Sequence, residues 1–388
     1  METPVVVEAA RTPFGKYGGA LAGLKAVELL RHVQLEVLAR AGIDPSLVEQ
    51  IIGGCVTQIG EQSLNVTRNA WLNSGLCYEV AASTVDASCG SAQQANHLIA
   101  ALIAAGVIEV GMACGVESMS RVPIGSNLSL GPGHYKTRDY PYDDPPRAQF
   151  GGAERIAARE GITRRDADGY ALLSQQRAAR AWAAGRYDRE VAPVKAPAAQ
   201  SEPDQTERIV VRKDQGIRKT TMEGLARLQP VLPGGIHTAG STSQLSDGAA
   251  AVLWMAESRA RSLGLRPRAR LVSQVITGAD PYYLLDGPIV ATRKILARAG
   301  MTLADLDRYE VNEAFAAVVL AWARTWKADP DRLNVNGGAI SLGHPLGASG
   351  TRLIVSAVSE LERIDGEFAL VTMCCGGSLG TASILQRM

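Results

Sequence analysis

Cysteine is scarce in this chain: there are six in 388 residues, Cys55, Cys77, Cys89, Cys114, Cys374 and Cys375. No CxxC pair occurs, and adjacent Cys374 and Cys375 make a poor ligand pair. Neither a disulfide framework nor a metal site is therefore expected. Net charge is only +1, so the broad basic field that nucleic acid or an anionic membrane would require is missing. Uninterrupted apolar runs fall short of eighteen residues, which argues against a membrane span. The first residues lack the basic-then-apolar order of a signal peptide, and a reduced, cytoplasmic protein is the expectation. Hydrophobic content of 46% and charged content of 20% are those of an ordinary globular chain, long enough for two or three domains.

Strand and helix patterns alternate along much of the sequence. Pro4–Glu8 reads as a buried strand, and Ala26–Ala41 as a helix stopped by Gly42. A strand at Gln50–Val56 and a helix at Thr67–Leu72 follow. Next come the apolar run Val80–Val85, a Ser88-Cys89-Gly90-Ser91-Ala92 turn, and a helix through Ala105. Val107–Gly115 is a strand ending in Cys-Gly. After residue 246 the alternation resumes, with strands at Ala250–Met255, Ala269–Val275, Tyr309–Val311 and Glu367–Met373. Helices there are expected at Glu257–Gly264, Pro288–Ala299 and from Leu346 to Glu362. This pattern predicts an α/β layered fold with a largely parallel sheet.

The intervening residues 119–246 differ. They carry Gly131-Pro132-Gly133, Pro145-Pro146, two helical stretches at Gly152–Arg159 and Arg165–Ala184, and a polar stretch at Ala196–Glu207. Their net charge is +5 against −4 for the remainder, a balance suited to a phosphorylated ligand. The two flanking parts resemble one another. Each has Cys89 or His344 opening a helix of small residues, then an apolar strand ending in Cys114-Gly115 or Cys375-Gly376. That suggests two similar domains packed as a pseudo-dimer, with the basic segment inserted in the first. The expected division is 1–118 with 247–268, the inserted 119–246, and 269–388.

Cys89 stands where a helix begins, and unpaired N–H groups with the helix dipole stabilise a thiolate there. A small buried cysteine at a turn is the commoner reading of that stretch taken alone. His344 lies between Gly343 and Pro345 in a glycine-rich loop that lets backbone approach a ligand closely. Imidazole is the side chain best suited to proton transfer near neutral pH. Cys374, before Gly376-Gly377, is a second proton-transfer candidate, and Asn312 can orient water. Two thiols and a histidine at separate strand ends suggest carbanion chemistry on a thioester. One thiol would carry an acyl group, a second would move a proton at carbon, and backbone N–H groups would hold an oxyanion.

These residues fall within longer blocks. Glu8–Lys16, Cys89-Gly90-Ser91, Gly240–Gly248, Asn312–Ala316, Gly343–Gly350 and Cys374–Gly377, in that order, make the chain resemble the thiolases, coenzyme-A-dependent acyltransferases, over nearly its full length. The resemblance implies the thiolase fold: two βαβαβαββ-type domains with an inserted α-rich loop domain. It implies Cys89 as the acylated nucleophile, His344 as the base that activates it, and Cys374 as acid/base at the α-carbon. Asn312 would hold a water that forms one oxyanion hole with the histidine. The N–H groups of Cys89 and Gly376 would form the other. Coenzyme A contacts fall at Arg218, Gly224, Ala239, Ser243 and Leu245, with Phe315 near the reactive end. Coenzyme A and acyl-CoA enter as substrates, with no permanently bound cofactor, and a homodimer or homotetramer is expected. The Arg121–Arg147 stretch is the candidate tetramerisation loop.

Some positions depart from the family pattern. Ala92 replaces a common Gly. Gln149 and Phe150 stand where short-chain biosynthetic enzymes tend to have His and Met, and Gly224 where they tend to have Ser. These changes count against acetoacetyl-CoA as the preferred substrate. Gly53–Gln58 and Gly235–Gly240 also resemble bacterial thiolases of steroid and lipid breakdown. Two other classes compete: a decarboxylating ketosynthase, which would lack the second cysteine, and an inactive acyl-CoA-binding protein, which would not keep all four reactive-type residues.

Overall fold

A computed structural model describes residues 2–129, 133, 136–198 and 208–388. Gly131 and Pro132 of the expected loop, and 199–207 of the polar stretch, lie outside the described residues. The first part runs β1 (Pro4–Arg11), β2 (Gly15–Lys16), α1 (Ala26–Ala41), β3 (Gln50–Gly54), α2 (Val66–Leu72), β4 (Ala81–Val85), α3 (Ser91–Ala104) and β5 (Val110–Ser118). Then come α4 (Gln149–Glu160), α5 (Arg164–Ala183), the hairpin β6 (Val194–Pro197) and β7 (Arg208–Val211), and α6 (Met222–Ala226). The remainder is β8 (Ser246–Ala256), α7 (Glu257–Ser262), β9 (Ala269–Gly278), α8 (Gly287–Ala299), β10 (Arg308–Val311), α9 (Ala316–Trp326), α10 (Ala339–Leu342), α11 (Leu346–Ile364), β11 (Phe368–Cys375) and β12 (Leu379–Arg387).

One sheet of ten strands runs β10-β11-β12-β9-β1-β8-β5-β3-β4, with β2 on β8. The parallel pairs expected from the alternation form only its flanks, β3 with β4 and β5, and β10 with β11. The centre is antiparallel, through β5–β8, β8–β1, β1–β9, β9–β12 and β12–β11. The sheet is therefore mixed, not largely parallel. The second part closes through the short β11–β12 return and the first through the long 119–245 segment, and neither is the single helical crossover that joins a parallel pair. In β11–β12 the return is made by Gly376, Gly377 and Ser378, with Gly377 and Ser378 at φ 71° and 59°.

Strand order repeats across the sheet: β1, β3, β5 and β8 have the same relative places as β9, β10, β11 and β12. The place of β4 is taken in the second part by an isolated parallel bridge from Tyr309 to Leu333. Two residue pairs, Val5 with Arg270 and Val6 with Ala269, join the two parts.

Residues of β1 feed opposite faces, and a bulge between Val6 and Glu8 shifts the alternation by one residue. Val5 and Val7 pack with α1 residues such as Leu29 and Val33, whereas Val6 and Ala9 pack with α3 and α11. Under the second part, Leu370 and Ile384 face α8 and α9. Helix α11 is buried from Leu346 to Val358, including the polar Ser349, Thr351 and Arg352. Much of the positive excess in 119–246 is held in contacts with the flanking parts. Arg189 meets Glu8 at 2.7 Å, while Asp214 of the segment is gripped in turn by Arg11 of β1, a two-pronged pair at 2.7 and 3.0 Å. Arg121 pairs with Glu61 at 2.6 Å, and Arg159 with Asp286.

Candidate active site

Cys89 sits at the end of a tight strand–turn–helix. Ser88 is left-handed at φ 51°, a conformation costly for a residue with a Cβ. The turn holds it there. Ser88 N–H donates to Asp86 at 2.7 Å, Ala87 N–H donates to Ser91 Oγ at 2.9 Å, and Ser91 Oγ donates to the Ser88 carbonyl at 2.5 Å. The cysteine lies just ahead of Gly90, the N-cap of α3, as expected from the sequence. A Cβ on Gly90 would come within 2.6 Å of Cys375 Sγ and 3.0 Å of Thr381 Cγ2. Only glycine lets the turn sit this close to β11 and β12.

His344 lies between α10 and α11. Gly343 takes φ 115°, and its missing Cβ leaves space for Ser246 Oγ. His344 N–H donates to the Gln244 carbonyl at 3.1 Å. The ring is buried, with Nδ1 2.6 Å from Ser349 Oγ and Nε2 3.3 Å from Asn312 Nδ2. Burial, helped by the charge of Arg352, pushes the imidazole down to about 3, so it rests neutral. Asn312 is presented by β10, and its N–H donates to the Thr372 carbonyl of β11 at 3.0 Å. Its neighbour Glu313 points away and accepts from Ser174 Oγ at 2.7 Å, Tyr170 Oη at 2.9 Å and Ile340 N–H at 3.1 Å. Asn312 Oδ1 is buried without a partner among the described residues.

Cys374 is the penultimate residue of β11, fully buried beside Phe315 and Phe150. Burial pushes its thiol up, and the Cys89 charge adds to the shift. Burial also raises Cys89, to about 11, while N–H donors at Gly376 and at Cys89 itself pull the other way. Those two donors are the pair expected for an oxyanion hole, and both face the Cys89 sulfur.

A cavity of about 630 Å³ reaches this place, with His344 in its wall. Cys89, Asn312 and Cys374 are buried at 2%, 0% and 0% exposure. Apolar side chains dominate the wall: Met119, Ile124, Phe150, Leu245, Phe315 and Leu346. Phe150 and Phe315 meet edge-on with ring centres 5.0 Å apart. Ala239, Ser243, Leu245 and Phe315, four of the positions expected to touch coenzyme A, line this cavity together with Gln149. The other two, Arg218 and Gly224, line an adjoining cleft of about 350 Å³ with Lys219 and Thr221. The clefts connect at Ala239, whose carbonyl accepts from Arg218 Nη2 at 3.4 Å. Among the described residues Arg218 forms no ion pair, and partial burial lowers its pKa.

Two family matches decide the relationship: residues 4–258 match the thiolase N-terminal domain and 265–387 the thiolase C-terminal domain. The chain belongs to the thiolase family. It is 42% identical to a steroid 3-ketoacyl-CoA thiolase of Mycobacterium tuberculosis over 396 residues, covering all of this chain and 95% of that protein. It is 41% identical to a 3-ketoacyl-CoA thiolase of Vibrio cholerae, with both chains fully covered. Among solved structures, Bacillus anthracis acetyl-CoA acetyltransferase and human mitochondrial 3-ketoacyl-CoA thiolase each superpose with a TM-score of 0.90. Their identities are 34% and 35%, covering 100% of this chain and 99% of each neighbour.

The sequence reading of this thiolase missed two residues of the site. Glu117, deep in β5, accepts from the N–H groups of Val56, Thr57 and Gly347 at 2.9–3.0 Å and from Gln62 at 2.8 Å. It ties the start of α11 to the loop after β3, and a lone Glu inside an apolar strand was the available signal. Ser349 was quoted within the Gly343–Gly350 block without a role.

Proposed function

We propose that this enzyme cleaves 3-ketoacyl-CoA by thiolysis with coenzyme A, or runs the reverse condensation, in a ping-pong sequence. The observation that supports it is that His344, with Asn312 at 3.3 Å, lines an apolar cavity whose Phe150 and Phe315 pack against Cys374, the thiol that feels the charge of Cys89. In the cleavage direction His344 Nε2 takes the Cys89 proton, and the sulfur attacks the 3-keto carbon. The tetrahedral intermediate keeps its oxygen on the N–H groups of Cys89 and Gly376, and the imidazolium with a water on Asn312 faces the thioester oxygen of the departing acyl-CoA. Collapse of the intermediate breaks the Cα–Cβ bond, and the electron pair leaves as an enolate of acyl-CoA. Cys374 protonates that α-carbon. The incoming coenzyme A thiol gives its proton to the Cys374 thiolate and attacks the acyl-thioester on Cys89, whose carbonyl oxygen faces the N–H groups of Cys89 and Gly376. The Cys89 sulfur leaves and takes its proton back from the His344 imidazolium. A single thiol cannot serve both steps, because acylation consumes it.

The nucleotide end of coenzyme A would lie in the Arg218 cleft, with its pantetheine arm passing Ala239, Ser243 and Leu245 to Phe315. A buried-phenylalanine wall suits an acyl chain longer than acetoacetyl, and the steroid 3-ketoacyl relative favours a bulky one. The division into 1–118 with 247–268, 119–246 and 269–388 follows the strand repeat. Strand β4 leaves one edge of the sheet unpaired within the chain, which supports a dimer. The cytoplasm is the proposed location, and among the described residues no helix is long and apolar enough to cross a membrane.

The test is thiolytic kcat/KM across 3-ketoacyl-CoAs from four carbons to a steroid side chain, with mass spectrometry of Cys89 after acyl-CoA addition. Thiolysis with a thioester on Cys89 is expected. Binding without cleavage or a thioester would leave an acyl-CoA-binding protein instead.

A further inference from the structure

His344 has two ring nitrogens, and the reading above uses only Nε2. We propose that Ser349 is a positioning residue that holds His344 as the Nδ1–H tautomer, leaving the Nε2 lone pair for the thiol proton. This rests on the assignment of His344 as the base.

The arrangement of the hydroxyl favours one polarity. Ser349 Oγ lies 2.6 Å from His344 Nδ1 and 2.9 Å from the Pro345 carbonyl. A hydroxyl has one hydrogen, and a carbonyl can only accept. With that hydrogen on Pro345 O, Ser349 can only accept at Nδ1, so Nδ1 carries the ring proton. In this amide orientation Asn312 Nδ2, 3.3 Å from Nε2, donates to a lone pair there. Ser349 itself is fixed: it is buried, and its N–H donates to the same Pro345 carbonyl at 3.1 Å in the first turn of α11. The residue is five positions past the histidine, so the loop and helix start that present the imidazole also supply its orienting partner.

A hydroxyl differs from a carboxylate in this place. It fixes the tautomer without a charge that would hold the imidazolium once formed. Arg352 on α11 is the charge that acts on the ring, and Glu117 on β5 accepts from Gly347 N–H, three residues past it. Arg352 opposes protonation, so the ring takes the thiol proton transiently and returns it readily.

Nitrogen-15 NMR of histidine-labelled enzyme, with His344→Asn to assign the signals, reads the tautomer directly in the unmodified protein. A pyridine-like Nε2 and a pyrrole-like Nδ1 are expected for His344, and a pyrrole-like Nε2 overturns the proposal. In Ser349→Ala both tautomers should appear, and the rate of Cys89 acylation by acetyl-CoA should fall about 10–100-fold, as for other groups that orient a working histidine. KM for coenzyme A should stay unchanged, and Ser349→Thr, which keeps the hydroxyl, should restore the rate to within about threefold of wild type. Acylation of Ser349→Ala at the wild-type rate would also overturn it. If the wild type cleaves no 3-ketoacyl-CoA while the tautomer is as stated, the functional reading fails and the positioning role stands.

Discussion

Cys89 and Cys374 are the same residue type, yet their surroundings separate them. Cys89 is met by backbone N–H donors and stands in a helix-opening turn, whereas Cys374 closes a strand against phenylalanines. Cys374→Ser should still form a thioester on Cys89 when given acetyl-CoA, but should lose α-deuterium exchange and condensation. Exchange at the wild-type rate would move the carbon acid/base elsewhere, with Cys375 the next candidate. Arg218 has a different kind of role, since among the described residues it has no carboxylate partner, and it lines the cleft beside Ala239. Arg218→Ala should raise KM for coenzyme A about tenfold, or about 1.4 kcal/mol, with kcat little changed. Steady-state kinetics at two salt concentrations checks this, and an unchanged KM would put the phosphates in another place. Cys89 and His344 stood out in the sequence through their glycine-containing turns, and Asn312 and Cys374 through their places at strand ends. Ser349 and Glu117 did not. Their roles depend on partners that only the folded chain brings near, such as Val56 and Gly347 for Glu117.

Helix α3 shows how an element can be constrained at both ends. Its opening glycine has an ordinary φ of −80°, so the constraint there is space rather than conformation. Gly90→Ala should cost about 1–3 kcal/mol by overpacking against Cys375 and Thr381, and should displace Cys89 enough to cut turnover. Urea unfolding monitored beside activity would show it, and a fully stable, active variant would mean that β11 and β12 yield. Further along the helix, His97 is buried with Nε2 2.8 Å from Ser383 Oγ, and burial pushes its pKa down to about 3. The unfolded chain protonates this histidine near 6.5 while the folded chain does not. Acidification from pH 6.5 toward 3 therefore favours unfolding by up to about 1.4 kcal/mol per pH unit from this group. His97→Gln removes that dependence, so the stability difference between wild type and variant should shift in favour of the variant between pH 7 and 5. Equal shifts in both proteins would mean that His97 takes up a proton in the fold. Most helices and strands were legible from periodicity and from Gly stops such as Gly42 and Gly300. Strand β12 was not, because its inward positions include Ser383 and Thr381, which do not read as an apolar face.

Across the whole molecule, the repeated strand order and the shared helix layer make the two parts interdependent. Only two residue pairs join β1 to β9, but α11 packs on β8 and β5 of the first part, and α3 on β9 and β12 of the second. Residues 1–258 expressed alone should therefore be compact but loosely packed, binding a hydrophobic dye and lacking a cooperative melt. A sharp, dye-free transition would show that the first part closes its own core. The fold class was legible from the strand–helix alternation. The antiparallel centre was not, since pairing direction depends on how distant strands meet, and nothing local in β8 or β9 encodes that.

The coverage of α3 also has a consequence in time. Ala95, Ile99 and Ile103 on α3 are in one cluster with Leu353, Ile354 and Val358 of α11 and Leu385 of β12. A ribosome adds about 5–20 residues per second, so these partners emerge tens of seconds after α3 has left the exit tunnel. For that interval β3 and β5 cover one side of α3, and its face toward α11 stays exposed. A holdase that recognises such surfaces would engage this protein during synthesis and release it only as the last strand arrives.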